Sequence, residues 1–214
     1  MSLDVRDLYF GYEEKESPFL EDFQMSLNKG NIIALTGRNG CGKTTLGKLI
    51  MGILKPWNGG IFLDEKNVTE LSLAERGRRI GYLMQNSSRQ IISMTVMEEV
   101  EYGLKNMGLQ PEKVSRKAMD FLKYFDLEGE SQTFPHLLSQ GEKQRLVLAA
   151  ILSMEPGYMF LDEPTSGLDY KRKAKLGEYL VNIKREMGTG ILVASHDRDF
   201  IERYADDCVE MEAS

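Results

Sequence analysis

The sequence predicts an α/β fold: a core of buried strands, an antiparallel β subdomain and an inserted α-helical lobe. Three observations predict it. Apolar runs at residues 32–35, 158–161 and 191–194 have the length and character of strands enclosed on both faces, with helical stretches between them. Residues 3–10 and 23–27 alternate apolar and polar side chains, as half-buried antiparallel strands do. From residue 86 to residue 153 the pattern is almost wholly helical.

The elements follow in order. After the first alternating strand, Gly11-Tyr12 opens a charged loop over residues 13–17. The second strand ends at the turn Asn28-Lys29-Gly30. The buried run at 32–35 leads into a glycine-rich loop and then a helix over 46–54. Residues 55–60 read as a turn, 61–63 as a short strand, 74–79 as a short helix and 80–84 as a buried strand ending at Gln85-Asn86. Thr95-x-x-Glu98 is a capping box that starts a helix running through Asn106. Pro111 starts another, with Val114, Ala118, Phe121, Leu122 and Phe125 on one face. Residues 129–135 break the pattern, and a second capping box, Ser139 with Glu142, precedes a helix over 143–154. A strand over 158–163, a turn at 164–169, a long helix over 170–187, a strand over 191–195, a helix to Tyr204 and a strand over 207–211 complete the chain. The expected organisation is one domain, with residues 1–85 and 154–214 as the α/β core and 86–153 as the helical lobe.

Bulk properties narrow the function. The 214 residues carry a net charge of −6, which argues against nonspecific binding to nucleic acid or anionic membranes. No apolar run approaches the ~20 residues that span a bilayer, and no secretory leader is expected. Cys41 and Cys208 give neither metal-ligand spacing nor a disulfide framework, so a reducing cytosol is expected.

The chemistry centres on Gly37-Arg38-Asn39-Gly40-Cys41-Gly42-Lys43-Thr44-Thr45. It matches G-x-x-x-x-G-K-[ST], the phosphate-binding loop, in the strand–loop–helix context that motif requires. The glycines let backbone N–H groups of Asn39, Gly40, Cys41, Gly42 and Thr45 turn inward around phosphate oxygens, and the helix N-terminus adds partial positive charge. Lys43 can reach the β- and γ-phosphates, and the Thr44 hydroxyl can ligate Mg²⁺. Asp162 and Glu163 end a buried strand. On a continuous strand they point to opposite sides, so Asp162 can hold Mg²⁺ while Glu163 polarises a water. His196 follows the strand at 191–195, on the ligand-facing end of such a sheet. Tyr12 suits either adenine stacking or packing at a sheet edge. Cys41, in the loop, is expected to be shielded from alkylation by bound nucleotide.

The order of these pieces resembles the ATP-binding-cassette (ABC) ATPases over essentially the whole chain. Residues 37–45 resemble their Walker A motif and 158–163 their Walker B. Gln85 resembles the Q-loop glutamine, residues 138–142 the signature, residues 166–169 the D-loop and His196 the switch histidine. The resemblance implies a P-loop NTPase core of the RecA-like type, ATP and Mg²⁺ as ligands, and adenine stacking by Tyr12. It implies metal contacts from Thr44, Gln85 and Asp162, and catalysis by Glu163, His196, Gln85 and Lys43. Two cassettes would pair head to tail, the Ser139 and Gly141 of one covering the triphosphate held by the other. The signature departs from the usual LSGGQ, reading Leu138-Ser139-Gln140-Gly141-Glu142. Residues 85–103, with Thr95-Val96-Met97-Glu98-Glu99-Val100, are similar to the energy-coupling-factor importer ATPases for vitamins and for cobalt or nickel.

That resemblance implies a peripheral subunit at the cytoplasmic face, joined to integral membrane subunits and a second cassette, with no nucleic acid as partner. A DNA-repair cassette would need a long coiled coil in place of the compact lobe, and a translation-factor cassette usually has two copies per chain. An exporter subunit is the nearer alternative, opposed only by residues 86–100.

Overall fold

The computed structural model describes residues 1–12 and 18–211. The charged loop expected at 13–17 lies outside the described residues. Packing divides the chain into two units, Met1–Tyr82 with Gly157–Ser214, and Leu83–Pro156.

The first unit holds two sheets. Strands β1 (Ser2–Phe10), β2 (Leu20–Asn28), β4 (Asn58–Leu63) and β5 (Lys66–Asn67) form an antiparallel sheet in the order β2-β1-β4-β5. Leu3 pairs with Leu27 on one side and Leu63 on the other, which sets the register of the apolar face. The turn expected over residues 55–60 is shorter, because the strand begins at Asn58. Gly60 pairs with Arg6 and Asn58 with Tyr9. Two glycines read as turn residues, yet Gly59 lies so close to β1 that a Cβ would sit 2.0 Å from the Asp7 carbonyl oxygen.

The second sheet comprises β3 (Ile32–Thr36), β6 (Ile80–Leu83), β7 (Tyr158–Asp162), β8 (Gly190–Ala194) and β9 (Asp207–Glu210), in the order β6-β7-β8-β3-β9. The pairs β7–β8, β3–β8 and β3–β9 are parallel. The antiparallel strands therefore form a sheet of their own and do not extend the one that carries β3.

Both faces of the parallel sheet are covered, which is why its strands read as unbroken apolar runs. Helix α1 (Lys43–Met51) packs on β7 where Gly47 has no side chain; a Cβ there would lie 2.5 Å from the Phe160 ring. Helix α6 (Tyr170–Met187) covers the opposite face, burying Leu176, Leu180 and Ile183. Helix α7 (Arg198–Tyr204) packs on α6, the Tyr204 ring filling the space left by Gly177. The short helix α2 (Leu73–Gly77) opens with a Ser72–Glu75 capping box. It carries the buried Arg76 to the far end of α1, where Nη1 donates to the Leu49 and Ile50 carbonyls at 2.9 and 2.8 Å. A guanidinium there satisfies open carbonyls and favours the negative end of the helix dipole.

The second unit is helical: α3 (Val96–Asn106), α4 (Pro111–Tyr124) and α5 (Gln140–Ser153), with 3₁₀ turns at Ser87–Arg89, Glu128–Glu130 and Pro135–Leu137. The three helices contact one another around Val96, Val100, Leu104, Val114, Ala118, Leu122, Phe125 and Leu146, all buried. The Thr95–Glu98 capping box is formed. Helix α5 starts at Gln140 and not at residue 143, since Ser139 is itself the N-cap and the helix follows it directly.

Candidate active site

The loop between β3 and α1 lies at the C-terminal end of the parallel sheet, the end that binds ligands in such folds. Its backbone runs through positive φ at Gly37 (140°), Gly40 (87°) and Gly42 (107°). At Gly37 a Cβ would stand 2.5 Å from the Met211 carbonyl oxygen, so no larger residue fits. Gly42 is the N-cap of α1 and offers the helix no side-chain acceptor, and the first turn contains no acid. Helices α2, α3 and α5 are each closed by a capping box and α6 and α7 are capped by Asp169 and Asp197, while α4, which also lacks a side-chain cap, carries Glu112 in its first turn. The open amides and positive dipole end of α1 fit an external anion.

Lys43 is 7% exposed, and its ammonium donates to the Gly37 and Arg38 carbonyls at 2.9 and 3.3 Å. It thus lies along its own loop, 3.9 Å from the Cys41 sulfur. Cys41 itself is 3% exposed. Burial by the protein already protects this thiol, contrary to the expectation that shielding needs a nucleotide. Asn39 and Gly40 are exposed at the loop tip.

The Thr44 hydroxyl is shared between both Asp162 oxygens, at 3.0 and 2.9 Å. Asp162 is 3% exposed, and this burial raises its pKa above the ordinary value, against the pull of the Thr44 hydrogen bond. A hydroxyl and a carboxylate in contact are hard oxygen donors. Among the described residues no group of three or more His, Cys, Asp or Glu could hold a metal. Two protein oxygens, completed by phosphate and water, suit Mg²⁺.

Glu163 corrects the sequence argument. It is not the last residue of a strand but has left β7, with φ 46°. Asp162 meets Thr44 and Glu163 meets His196, and the backbone between them turns out of the strand, so strand pleating does not set their directions. Its amide donates to the Ala194 carbonyl at 2.8 Å, which fixes it against β8. Its carboxylate meets His196 Nδ1 at 2.9 Å. Since an ionised carboxylate only accepts, Nδ1 carries the proton and the other ring nitrogen, Nε2, remains free of this contact. Holding a phosphate oxygen through Nε2 as well requires the imidazolium.

The sequence reading missed what secures this pair. Thr165 and Ser195 share a buried hydroxyl contact of 3.2 Å, tying the turn after Glu163 to the residue before His196. Asp197 caps α7 and pairs with Lys173 at 2.6 Å. The signal in the sequence was Asp197 just before a short helix.

Tyr12 is 61% exposed, its ring edge-on to Phe10 and Phe19, with its hydroxyl 2.7 Å from that of Thr45. The first unit therefore brings together Tyr12, residues 39–45, Asp162, Glu163 and His196. Gln85, Ser139 and Gly141 belong to the second unit. There Gln85 is exposed, and Gly141 is buried in the first turn of α5. Ser139 accepts from the Glu142 amide at 3.4 Å, and Glu142 accepts from the Ser139 amide at 2.8 Å. The acid in place of the usual glutamine therefore keeps its capping role.

Residues 20–166 match the family described as ABC transporter. The chain belongs to that family of ATPases. A putative ABC transporter ATP-binding protein of Pyrococcus horikoshii is 39% identical, over 95% of this chain and 77% of its own length. One of Vibrio vulnificus is 34% identical over 94% of this chain, but the match spans only 35% of that protein. Among solved structures, CbiO1 of Clostridium perfringens, described as part of the ABC transporter complex CbiONQ, superposes with a TM-score of 0.90. It shares 32% identity and is matched over 98% of this chain and 84% of that one. A dimeric post-hydrolysis cassette, MJ0796 with ADP and Pi, gives 0.86 at 25% identity, over 98% and 94% of the two chains. ABC ATPases bind ATP.

Proposed function

We propose that this cassette is the ATP-hydrolysing subunit of a membrane transporter, of the energy-coupling-factor importer type for a vitamin or metal ion. The observation that carries the reading is a pair of contacts in the unit that holds the phosphate loop: Thr44 with Asp162, and Glu163 with His196. The first is a cation site and the second a water-activating site, which is the division phosphoryl transfer needs.

In this reading Lys43 exchanges the Gly37 and Arg38 carbonyls for phosphate oxygens, and Tyr12 offers its exposed ring to adenine. Thr44 and Asp162 would hold Mg²⁺, which when bound would neutralise charge on the phosphates; for Gln85, in the second unit, a metal contact is implied by the resemblance alone. Glu163 orients the attacking water, and His196 holds the γ-phosphate. Ser139 and Gly141 of a second cassette supply the helix N-terminus that closes the site. Closure and release of that pair is the motion passed to the transporter.

The similarity to a CbiONQ subunit and the residue pattern at 85–103 support the importer assignment. Among the described residues no helix is long and apolar enough to cross a membrane, so integral membrane subunits are the expected partners. The second unit exposes Ile92, Met94 and Tyr102 at 64%, 70% and 52%, an apolar set that suits a docking surface for them.

Glu163→Gln tests the chemistry. Hydrolysis should fall at least ~10²-fold with ATP binding retained, and a dimer should accumulate in sedimentation. Normal turnover in this variant would refute the assigned base. Capture from membranes with identification of the co-purifying subunits tests the transporter assignment.

A further inference from the structure

His196 has little of its own to hold it. Its ring is 66% exposed, and among the described residues its one side-chain hydrogen bond is that of Nδ1 with Glu163. A ring so placed stands where its backbone puts it, and that backbone is fixed from both neighbours. Ser195 is wholly buried; its hydroxyl meets that of Thr165 at 3.2 Å and accepts from the Asp197 amide at 3.1 Å. Asp197 accepts from the Phe200 amide through Oδ1 at 3.2 Å. Its Oδ2 is shut off from solvent and faces the Lys173 ammonium at 2.6 Å, with no other polar partner among the described residues.

Lys173 stands in the first turn of α6, its amide bonded to the Asp169 carbonyl at 2.9 Å. Its neighbour Arg172 pairs with Asp169 at 3.5 Å, within the same turn, whereas Lys173 reaches out of the helix to the next segment. The turn at 164–169 is thereby joined to the residues around His196 at both ends, through Thr165 with Ser195 and through Lys173 with Asp197. We propose that Lys173 is a positioning residue for His196: it pins the Asp197 carboxylate, and through it the backbone that aims the imidazole. This rests on the assignment of His196 to the γ-phosphate. Without the ammonium, a charged oxygen would be closed to water, which is costly. The carboxylate would relieve that by turning into the cleft of about 280 Å³ that it borders with Lys173 and Arg203. It would give up the Phe200 amide and draw the His196 backbone with it. In sequence Lys173 passes for one more cation of a long amphipathic helix.

Lys173→Met keeps the length of the side chain and removes its charge, while Lys173→Arg keeps the charge. The chain has two histidines, His136 and His196. Untagged protein labelled with ¹⁵N and ¹³C at histidine therefore gives two sets of ring signals, told apart with His136→Gln. In Lys173→Met the His196 signals should shift or broaden while those of His136 stay in place. The kcat for ATP hydrolysis should fall roughly tenfold or more. KM for ATP, the pairing of Glu163→Gln protein in sedimentation and the melting temperature, within a few degrees, should match the parent's. Lys173→Arg should restore both the ring signals and most of kcat. Unmoved His196 signals overturn the proposal, and so does an unchanged kcat. A raised KM with a much lower melting temperature, uncorrected by arginine, would make Lys173 a packing residue. Weaker pairing would place its effect at the contact with a second cassette and not at His196. His196→Ala, measured alongside, separates the two levels. Normal hydrolysis in it would refute the role given to His196 itself; if it abolishes hydrolysis while Lys173→Met is silent, only the role of Lys173 falls.

Discussion

Asp162 is held in a place that is poor for an anion until its ligand arrives. Its pKa is raised by burial, with the nearby Glu163 charge adding to the effect and Thr44 opposing it. A carboxylate with a folded pKa above its unfolded one favours the folded state most below the ordinary carboxylate range, and that contribution is lost as pH rises through the folded pKa. Above the ordinary carboxylate range the burial of this group therefore counts against the folded state. Asp162→Asn should raise the melting temperature at pH 7–8 by a few degrees, and the gain should shrink as pH falls toward ~4. Thermal melts across pH check this, and a gain that grew in acid would have the wrong sign. Asp206 shows the opposite case. Burial alone would raise its pKa, but the Ile32 amide and Lys184 outweigh it and hold the carboxyl below its usual value. Its contribution is present above the ordinary carboxylate range and disappears as pH falls through the lowered pKa. Asp206→Ala should cost roughly 0.5–1 kcal/mol at pH 7 in chemical denaturation, the side chain being 37% exposed and its pair screened by solvent, and progressively less in acid.

Elements that announce themselves by local chemistry were legible in the sequence: the Thr95 and Ser139 capping boxes, Pro111 at a helix start, and the unbroken apolar strands of the parallel sheet. Elements defined by a distant partner were not. Gly59 and Gly60 look like a turn until β1 is seen beside them. Arg76 looks like a solvent-facing cation of a short helix, yet it is 1% exposed and bonds the last carbonyls of α1. Glu163 looks like a strand residue because its left-handed φ has no signature in its side chain. Two substitutions test these pairings. Gly59→Ala would add strain at φ 80° and drive a methyl into the Asp7 backbone, costing at least ~3 kcal/mol and loosening β1 from β4. Arg76→Met should cost roughly 2–4 kcal/mol, since it takes the guanidinium donor from the Ile50 carbonyl and leaves that of Leu49 with the Gly52 amide alone. Hydrogen exchange should then quicken at the Ile53 and Leu54 amides, which bond to Lys48 at the same helix end. Protection unchanged there would mean that Arg76 does not secure α1.

At the scale of the molecule, the residues assigned to the nucleotide divide between the two units. Gly37 to Thr45, Asp162, Glu163 and His196 belong to one, and the signature helix N-terminus to the other. Motif order in the sequence was enough to name both halves, because each motif is local. In the head-to-tail reading the two halves meet only across a pair of cassettes. The head-to-tail reading makes a prediction that stability measurements cannot mimic. Lys43→Ala spoils the phosphate loop, and Ser139→Arg spoils the opposing helix end; each protein alone should be nearly inactive. In a mixed pair, one composite site inherits both defects and the other inherits neither. Mixing the two proteins should therefore restore hydrolysis, to roughly a quarter of the parent's sites if pairing is random and each site works independently. The recovered rate should rise more steeply than linearly with total protein while the pair is only partly associated. If both variants fold and bind one another, yet the mixture stays inactive at every ratio, the second cassette does not complete the site, because one intact composite pocket would then be present and silent.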